Sequence, residues 1–310
     1  MRVGVLGTGS IGMRHLNALR NVNGVVPVAL PLRAERVSEL QALGWDAAGA
    51  TNARVDALII ATDTSRHITD AQSWGSIPLL IEKPLSSSAD SQLHAWSLSK
   101  PQAWVACCLR FHPAMRHFRE SVQGLAAPYE LEIECRSNLA AWRPSRDYRT
   151  MYSGRAGEGG ALRELIHEVD YAGWIGGWPN PSAVSGRTWS EAILEIADEE
   201  FATLEWATST ASVRVELDLV NAETVRRATA RGTREIHLDL VAKVVVDNGN
   251  VTSFADRSPD EMYIEQARAF VAAASGAPSL DLATIEEGLL ALEICDHVRG
   301  GATFAHSVPL

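Results

Sequence analysis

The residues Gly7-Thr8-Gly9-Ser10-Ile11-Gly12 constrain this chain more than any others. They follow a short apolar run, residues 3–6, and open a helical pattern through Leu16 and Leu19. Glycines spaced G-x-G-x-x-G between a strand and a helix are each needed for a separate reason. Gly7 permits the tight turn, Gly9 lets a pyrophosphate approach the backbone, and Gly12 lets helix and strand pack closely. The new helix then points its first N–H groups, and the positive end of its dipole, at the phosphates. The alternative is a glycine-rich turn with no ligand. The strand before and the helix after favour a dinucleotide site made by Gly7, Thr8, Gly9, Ser10, Ile11 and Gly12.

Apolar runs and helical patterns continue to alternate. Strands are expected at 25–30, 55–61, 78–81 and 104–109, with helices at 64–74 and 88–100. That order indicates a doubly wound parallel sheet, an α/β fold. The run Leu79-Leu80-Ile81 ends in Glu82-Lys83-Pro84. A buried parallel strand there delivers Lys83 to the carboxyl edge of the sheet, where such folds bind ligands. Pro84 restricts the backbone of Lys83 as well as its own, so the amine is aimed. Asp63 and His67 follow the strand at 55–61 and lie near the same edge. For His67 a structural place at a helix N-terminus is favoured over catalysis.

The second strand runs into Leu30-Pro31-Leu32-Arg33-Ala34-Glu35-Arg36. A site that prefers NAD carries Asp or Glu at this tip to hold the ribose 2′-hydroxyl. Here there is no acid, and Arg33 could pair with a 2′-phosphate. The expectation is NADP, with NAD possible. Arg36 is the weaker candidate, because it falls on the outer face of the next helix.

Composition narrows the class. The 310 residues are enough for two domains, and a formal charge of −10 argues against nucleic acid as a partner. No apolar run approaches the roughly 20 residues that span a bilayer. The first strand leaves no room for a signal peptide, and the four cysteines, Cys107, Cys108, Cys135 and Cys295, have no metal spacing. A cytoplasmic protein with buried free thiols is expected. Cys107 and Cys108, if in a strand, would point to opposite faces.

The second half reads differently. Residues 161–174 have helical periodicity, placing Glu164, His167 and Asp170 or Tyr171 on one polar stripe. A histidine beside a carboxylate can give up and recover a proton near neutral pH. Upstream, residues 142–152 carry Arg143, Arg146 and Arg149 among Trp142, Tyr148 and Tyr152. A substrate loop with arginine forks and a surface loop or oligomer contact fit this run equally well. Alternation at 193–196, 202–206, 213–219, 235–240 and 244–246 then fits an antiparallel sheet with one exposed face, before helices at 262–275 and 283–298.

Three features together, the glycine motif, Thr62-Asp63-Thr64-Ser65-Arg66-His67 and Glu82-Lys83-Pro84, resemble the Gfo/Idh/MocA family of oxidoreductases. Asp63 stands where that family commonly has proline. Arg110-Phe111-His112-Pro113 looks like the family's R-x-x-P segment. Gly159-Gly160 through Glu164, His167 and Asp170 is similar to its second signature, with the acid three residues before the histidine instead of four.

The resemblance implies a Rossmann domain over 1–112 and a substrate-binding and oligomerisation α+β domain over 113–310, with a largely antiparallel open sheet. It implies hydride transfer between a nicotinamide and a sugar, polyol or sugar derivative, and a homodimer or homotetramer formed through that sheet. The catalytic set is then Lys83, His167 and Glu164. Thr62, Asp63, His67, Glu82 and Lys83 join the glycine motif and Arg33 at the cofactor, while Arg110, Arg146, Tyr148, Arg149 and Asp170 meet substrate. No metal is implied. The alternatives are a non-catalytic dinucleotide-binding regulator of the same fold, and a reductase of an imine or enone.

Overall fold

The computed structural model describes residues 1–99, 102–142, 147–278 and 281–301. The chain divides into two compact units, Met1–His112 with Arg257–Leu289, and Pro113–Asp256 with the chain from Leu290 onward. In the first unit, β1 (Arg2–Leu6), α1 (Ser10–Leu19), β2 (Val26–Leu30), α2 (Glu35–Ala42) and β3 (Asp46–Ala47) wind in one direction. The chain then passes to the other side of β1 through β4 (Ala57–Ile60), α3 (His67–Ser73), β5 (Leu79–Ile81), α4 (Ser91–Leu98) and β6 (Ala103–Val105). These six strands pair in parallel in the order β6-β5-β4-β1-β2-β3, so the topology reverses between β1 and β4. Every residue of β4 and β5 is buried, as strands covered on both faces require.

Helix boundaries follow local bonding. The expected helix at 88–100 begins after Asp90, whose carboxylate accepts from the Leu93 N–H at 2.9 Å. The strand expected at 104–109 stops at Val105, and Cys108–Phe111 form a 3₁₀ turn. Cys107 and Cys108 are therefore not strand neighbours on opposite faces. Both thiols are buried, and their backbone N–H groups donate to Val105 O at 2.8 Å and Ala106 O at 3.0 Å, with the amide oxygen of the buried Gln266 a second acceptor beside them.

Gln266 belongs to a segment that joins the first unit from far along the chain. α5 (Pro113–Gln123), β7 (Tyr129–Asn138), α6 (Ala161–Glu164), α7 (Ile166–Gly176) and strands β8 (Ser185–Trp189) to β14 (Asn250–Ser253) intervene. Then α8 (Glu261–Ala274) places Tyr263, Ala267 and Phe270 in the cluster that holds Leu16 and Leu19 of α1. β15 (Ala283–Thr284) pairs antiparallel with β6. Residues 257–289 thus complete the first unit, whereas the sequence placed everything after residue 112 in the second. Their helical pattern is legible, but nothing local states which sheet they cover. α9 (Ile285–Gly301) follows, and the division between units falls within it.

The second unit is built on an eight-stranded sheet in the order β14-β13-β12-β11-β7-β10-β9-β8, with β9 (Phe201–Ala207), β10 (Ala211–Asp218), β11 (Val220–Arg231), β12 (Glu235–Asp239) and β13 (Val244–Asp247). All its pairs are antiparallel except β7 with β10. β7 alternates buried and exposed residues, turning Leu131, Ile133 and Cys135 inward. The exposed face is a lattice of ion pairs: Arg214 with Glu205 and Glu216, each at 2.7 Å, Arg231 with Glu132 and Glu235, and Arg227 with Asp239.

Residues 193–196 form no strand, although they alternate. The Glu200 carboxylate accepts from the Glu191 N–H at 2.7 Å and from the Leu194 N–H, so a side chain replaces the missing ladder. Among the described residues, no helix is long and apolar enough to cross a membrane.

Candidate functional site

The glycine turn sits where the sheet topology reverses, the place at which open α/β sheets bind ligands. Gly7 has φ +90°, and its N–H donates to Leu30 O at 3.0 Å. A Cβ on Gly7 would lie 2.4 Å from Ala61 O, and one on Gly12 would lie 1.9 Å from Gly7 O. Both glycines are demanded by the protein's own backbone. Gly9 is not. Its backbone is extended (φ −73°, ψ −167°), it is exposed, and a Cβ there would meet nothing within 4 Å. Gly9 caps α1, and the first N–H groups of a helix have no partner within it. The opening in front of Gly9, beside those donors, fits the pyrophosphate of a dinucleotide. Thr8 and Ile11 are half-buried and Ser10 exposed around it.

The segment after β4 is tied to the segment after β5. Thr62 Oγ1 donates to Asp70 at 2.8 Å, and Arg66 pairs with the same carboxylate at 3.0 Å. Asp63 is exposed and precedes a 3₁₀ turn, Thr64–Arg66. His67 is buried between two carbonyl oxygens, Pro84 O at 2.9 Å from Nδ1 and Thr62 O at 3.1 Å from Nε2. Desolvation by burial lowers its pKa, against the pull of the two carbonyls and of Glu82 and Asp70. A neutral ring has one N–H, so it donates to one carbonyl at a time. His67 braces two loops.

At the end of β5 the Glu82 N–H still bonds Ile60 O of β4 at 2.9 Å. The Glu82 carboxylate turns inward, 2.6 Å from His15 Nε2, and its second oxygen accepts from the Lys83 N–H at 3.2 Å. Lys83 is half-buried, and its bond to Pro84 is cis. The structure thus gathers the glycine turn, Thr62, His67, Glu82 and Lys83 along one edge of one sheet. Arg33 is exposed beyond β2, with no ion pair among the described residues, whereas Arg36 is paired with Glu39 at 2.8 Å. Arg110 is buried instead, its guanidinium donating to Glu287 at 3.0 Å.

In the second unit the single helix expected at 161–174 is two. Leu165 (φ −102°, ψ 28°) separates α6 from α7, so Glu164 is not on the helix that carries His167 and Asp170. Gly160, at φ +82°, starts α6, and the Glu199 carboxylate accepts from the Leu162 N–H at 3.0 Å while Arg299 holds it at 2.7 Å. Glu164 is buried and accepts from the Tyr152 hydroxyl at 3.1 Å. His167 is half-buried in the first turn of α7, and Asp170 is buried one turn on. Tyr171 does not share their role. Its hydroxyl reaches Glu168 at 3.4 Å, which is ion-paired with Arg226 at 2.6 Å, and burial drives the phenol pKa well up.

Of the loop at 142–152, Arg146 lies outside the described residues. Tyr148 accepts from the Glu195 N–H at 3.2 Å. Arg149 engages Asp147 and Glu195, each at 2.8 Å. One residue not picked from the sequence stands beside Glu82 in the first unit, His15, while in the second unit Tyr152, already read as part of the loop at 142–152, bonds Glu164. His15 lies one turn beyond Gly12 on the buried face of α1, and a polar group in an apolar stripe is the signal that could have found it.

No family model matches the chain. UDP-N-acetylglucosamine 3-dehydrogenase of Acidithiobacillus ferrooxidans is 30% identical over 152 residues, which is 46% of this chain and 47% of that enzyme. Inositol 2-dehydrogenase 2 of Paenarthrobacter aurescens is 26% identical over 321 residues, covering 93% of this chain and 92% of its own. Levoglucosan dehydrogenase, solved with NADH and levoglucosan, shares the fold with a TM-score of 0.78 at 17% identity, over 96% of each chain. The homologues are dehydrogenases, and the structural neighbours are of the Gfo/Idh/MocA oxidoreductase type.

Two tests follow from this geometry. Gly9→Ala should leave Tm unchanged, because none of the described residues occupies that space, yet weaken NADH and NADPH binding by about tenfold or more, each tenfold being about 1.4 kcal/mol. Fluorescence titration reads this, and unchanged affinity would remove the pyrophosphate from Gly9. His67 should make stability depend on pH. The unfolded ring takes its proton near 6.5 and the folded ring only at lower pH, so stability falls as pH drops below 6.5 towards the folded value. The slope is at most about 1.4 kcal/mol per pH unit. Urea midpoints at about pH 7.5 and about pH 5.5 should therefore differ less in His67→Asn than in the parent. An equal difference in both would assign the slope to other groups.

Proposed function

We propose that this chain is an NADP-dependent oxidoreductase acting on a sugar, polyol or sugar nucleotide. The observation that carries the reading is the placement of Lys83 and the open face of Gly9 on one sheet edge. Lys83 follows β5, the glycine turn follows β1, and only β4 separates them. The homologues support the substrate class, being named for UDP-N-acetylglucosamine and inositol. The bound dinucleotide would supply the hydride acceptor or donor at its nicotinamide ring.

The chain's own residues do the rest. Lys83 donates a hydrogen bond to the reacting oxygen and stabilises the negative charge that develops there. His167 takes the hydroxyl proton when an alcohol is oxidised and returns it on reduction. Glu164, held by Tyr152, and Asp170 orient the histidine or the substrate hydroxyls. Tyr148 and Arg146 offer the substrate loop. Arg149 and Arg110 we assign to the scaffold, since carboxylates of the chain already engage them.

NADP is preferred because Leu30-Pro31-Leu32-Arg33 puts an exposed guanidinium where an acid would repel a 2′-phosphate. The ion-paired face of the second sheet is the contact for a homodimer or homotetramer, and the enzyme acts in the cytoplasm. Thr62 and Asp63 border the nicotinamide end of the site.

Nicotinamide absorbance with NADP(H) and NAD(H), against free sugars, polyols and sugar nucleotides, tests the activity. Tight NADPH binding with no turnover across the panel would favour a regulatory dinucleotide-binding protein or an imine or enone substrate. Lys83→Ala should lower turnover by about 10²–10³-fold with dinucleotide affinity retained, and near-normal turnover would sink the assignment. Arg33→Ala should weaken NADPH by about 10–100-fold, as loss of a charged hydrogen bond does. NADH affinity should stay constant, and an equal loss for both would end the 2′-phosphate argument.

A further inference from the structure

We infer that His15 is a positioning residue for Lys83 and acts through the Glu82 carboxylate. This rests on the reading of Lys83 as the group at the reacting oxygen. His15 sits on the face of α1 that buries Gly12, Leu16 and Leu19, with 1% of its surface exposed. An imidazole there is costly unless hydrogen-bonded. Its bond is to Glu82, 2.6 Å from Nε2 to Oε1, and the Tyr263 ring from α8 packs against it in a T-shaped pair with centroids 5.8 Å apart.

A carboxylate only accepts, so His15 Nε2–H and the Lys83 N–H both donate to it, one to each oxygen. The Glu82 backbone is meanwhile held to Ile60 of β4. Glu82 is therefore fixed by β4 through its main chain and by α1 through its side chain. What it fixes in turn is the peptide N–H of the residue that carries the amine. The helix that presents Gly9 at its N-terminus thus also sets the backbone of Lys83. Pyrophosphate site and reacting amine are referenced to one rigid element, α1. A conventional reading gives His15 only to the core, but a core position would be filled as well by leucine, which leaves the buried Glu82 oxygen without its donor.

The test compares His15→Ala, His15→Gln (which keeps an N–H donor), Glu82→Gln and the double variant His15→Ala/Glu82→Gln. His15→Ala should lower kcat by about 10–100-fold, the scale of a small misplacement at a reacting centre, with NADPH affinity within about twofold. His15→Gln should recover most of the loss. The double variant should be no slower than the slower single, because both changes disrupt the same His15–Glu82–Lys83 link, the glutamine having only one acceptor oxygen for two N–H donors.

A second readout does not use turnover. Lys83 is methylated reductively with ¹³C-formaldehyde, and its resonance is assigned by its absence in Lys83→Ala. That resonance should move in His15→Ala and return in His15→Gln. Wild-type kcat in folded His15→Ala, or losses that multiply in the double variant, would overturn the inference. Should the parent turn over no substrate, the reading of Lys83 fails on its own. An unmoved Lys83 resonance in His15→Ala then decides separately against the coupling.

Discussion

The first unit depends on two backbone segments approaching more closely than any side chain allows. At Gly12 the helix axis comes so near the end of β1 that a single added carbon would sit 1.9 Å from Gly7 O. At Gly7 the turn crosses the tip of β4 with similarly little room. Interiors are close-packed, so such contacts do not relax by small shifts of neighbours. They fix where α1 starts relative to both strands at the topological switch. Everything that α1 carries is fixed with it: the N-terminal donors, Gly9 in front of them, and His15 one turn behind Gly12.

How much of this was legible depended on the range over which the deciding force acts. The strands at 55–61 and 78–81 are short apolar runs with clear ends, and they form where expected. The glycine motif announces its own geometry because Gly7 and Gly12 each answer a local steric demand. Leu165 shows the opposite case. The apolar and polar spacing of 161–174 suits one continuous helix, and nothing in it marks the break that detaches Glu164 from His167. Residues 193–196 alternate like a strand, but Glu200 takes up their N–H groups and no partner strand is needed. The return of 257–289 to the first sheet was unreadable for a related reason. Tyr263 and Phe270 make α8 amphipathic without saying which apolar surface it will meet.

Charged residues were read less well than glycines. The loop at 142–152 left anion recognition and a surface contact equally open; in the structure Arg149 is held by Asp147 and Glu195, and Arg110, outside that loop, by Glu287. The acids behave alike. Asp198, Glu199 and Glu200 are consecutive, and each carboxylate accepts backbone N–H groups of a different stretch: Asp198 those of Gly157 and Gly159, Glu199 that of Leu162, Glu200 those of Glu191 and Leu194. A tripeptide that looks like a cation site is a set of loop staples. Backbone donors and arginines replace the water that such carboxylates lose on folding.

The same reasoning separates Glu82 from the acids that only staple. A staple ties one loop to itself or to another loop, as Asp147 does with the N–H of Arg149 two residues away and Asp198 with that of Gly157. Glu82 joins elements 67 residues apart, α1 and the end of β5, and it does so between the glycine turn and Lys83 on that sheet edge. Burial makes this link stringent, since an unmatched carboxylate oxygen or imidazole nitrogen there would cost more than the bond itself contributes. A short contact between two buried polar groups from distant segments records a positional requirement that residue type alone does not reveal. In this chain that requirement converges on the backbone of Lys83.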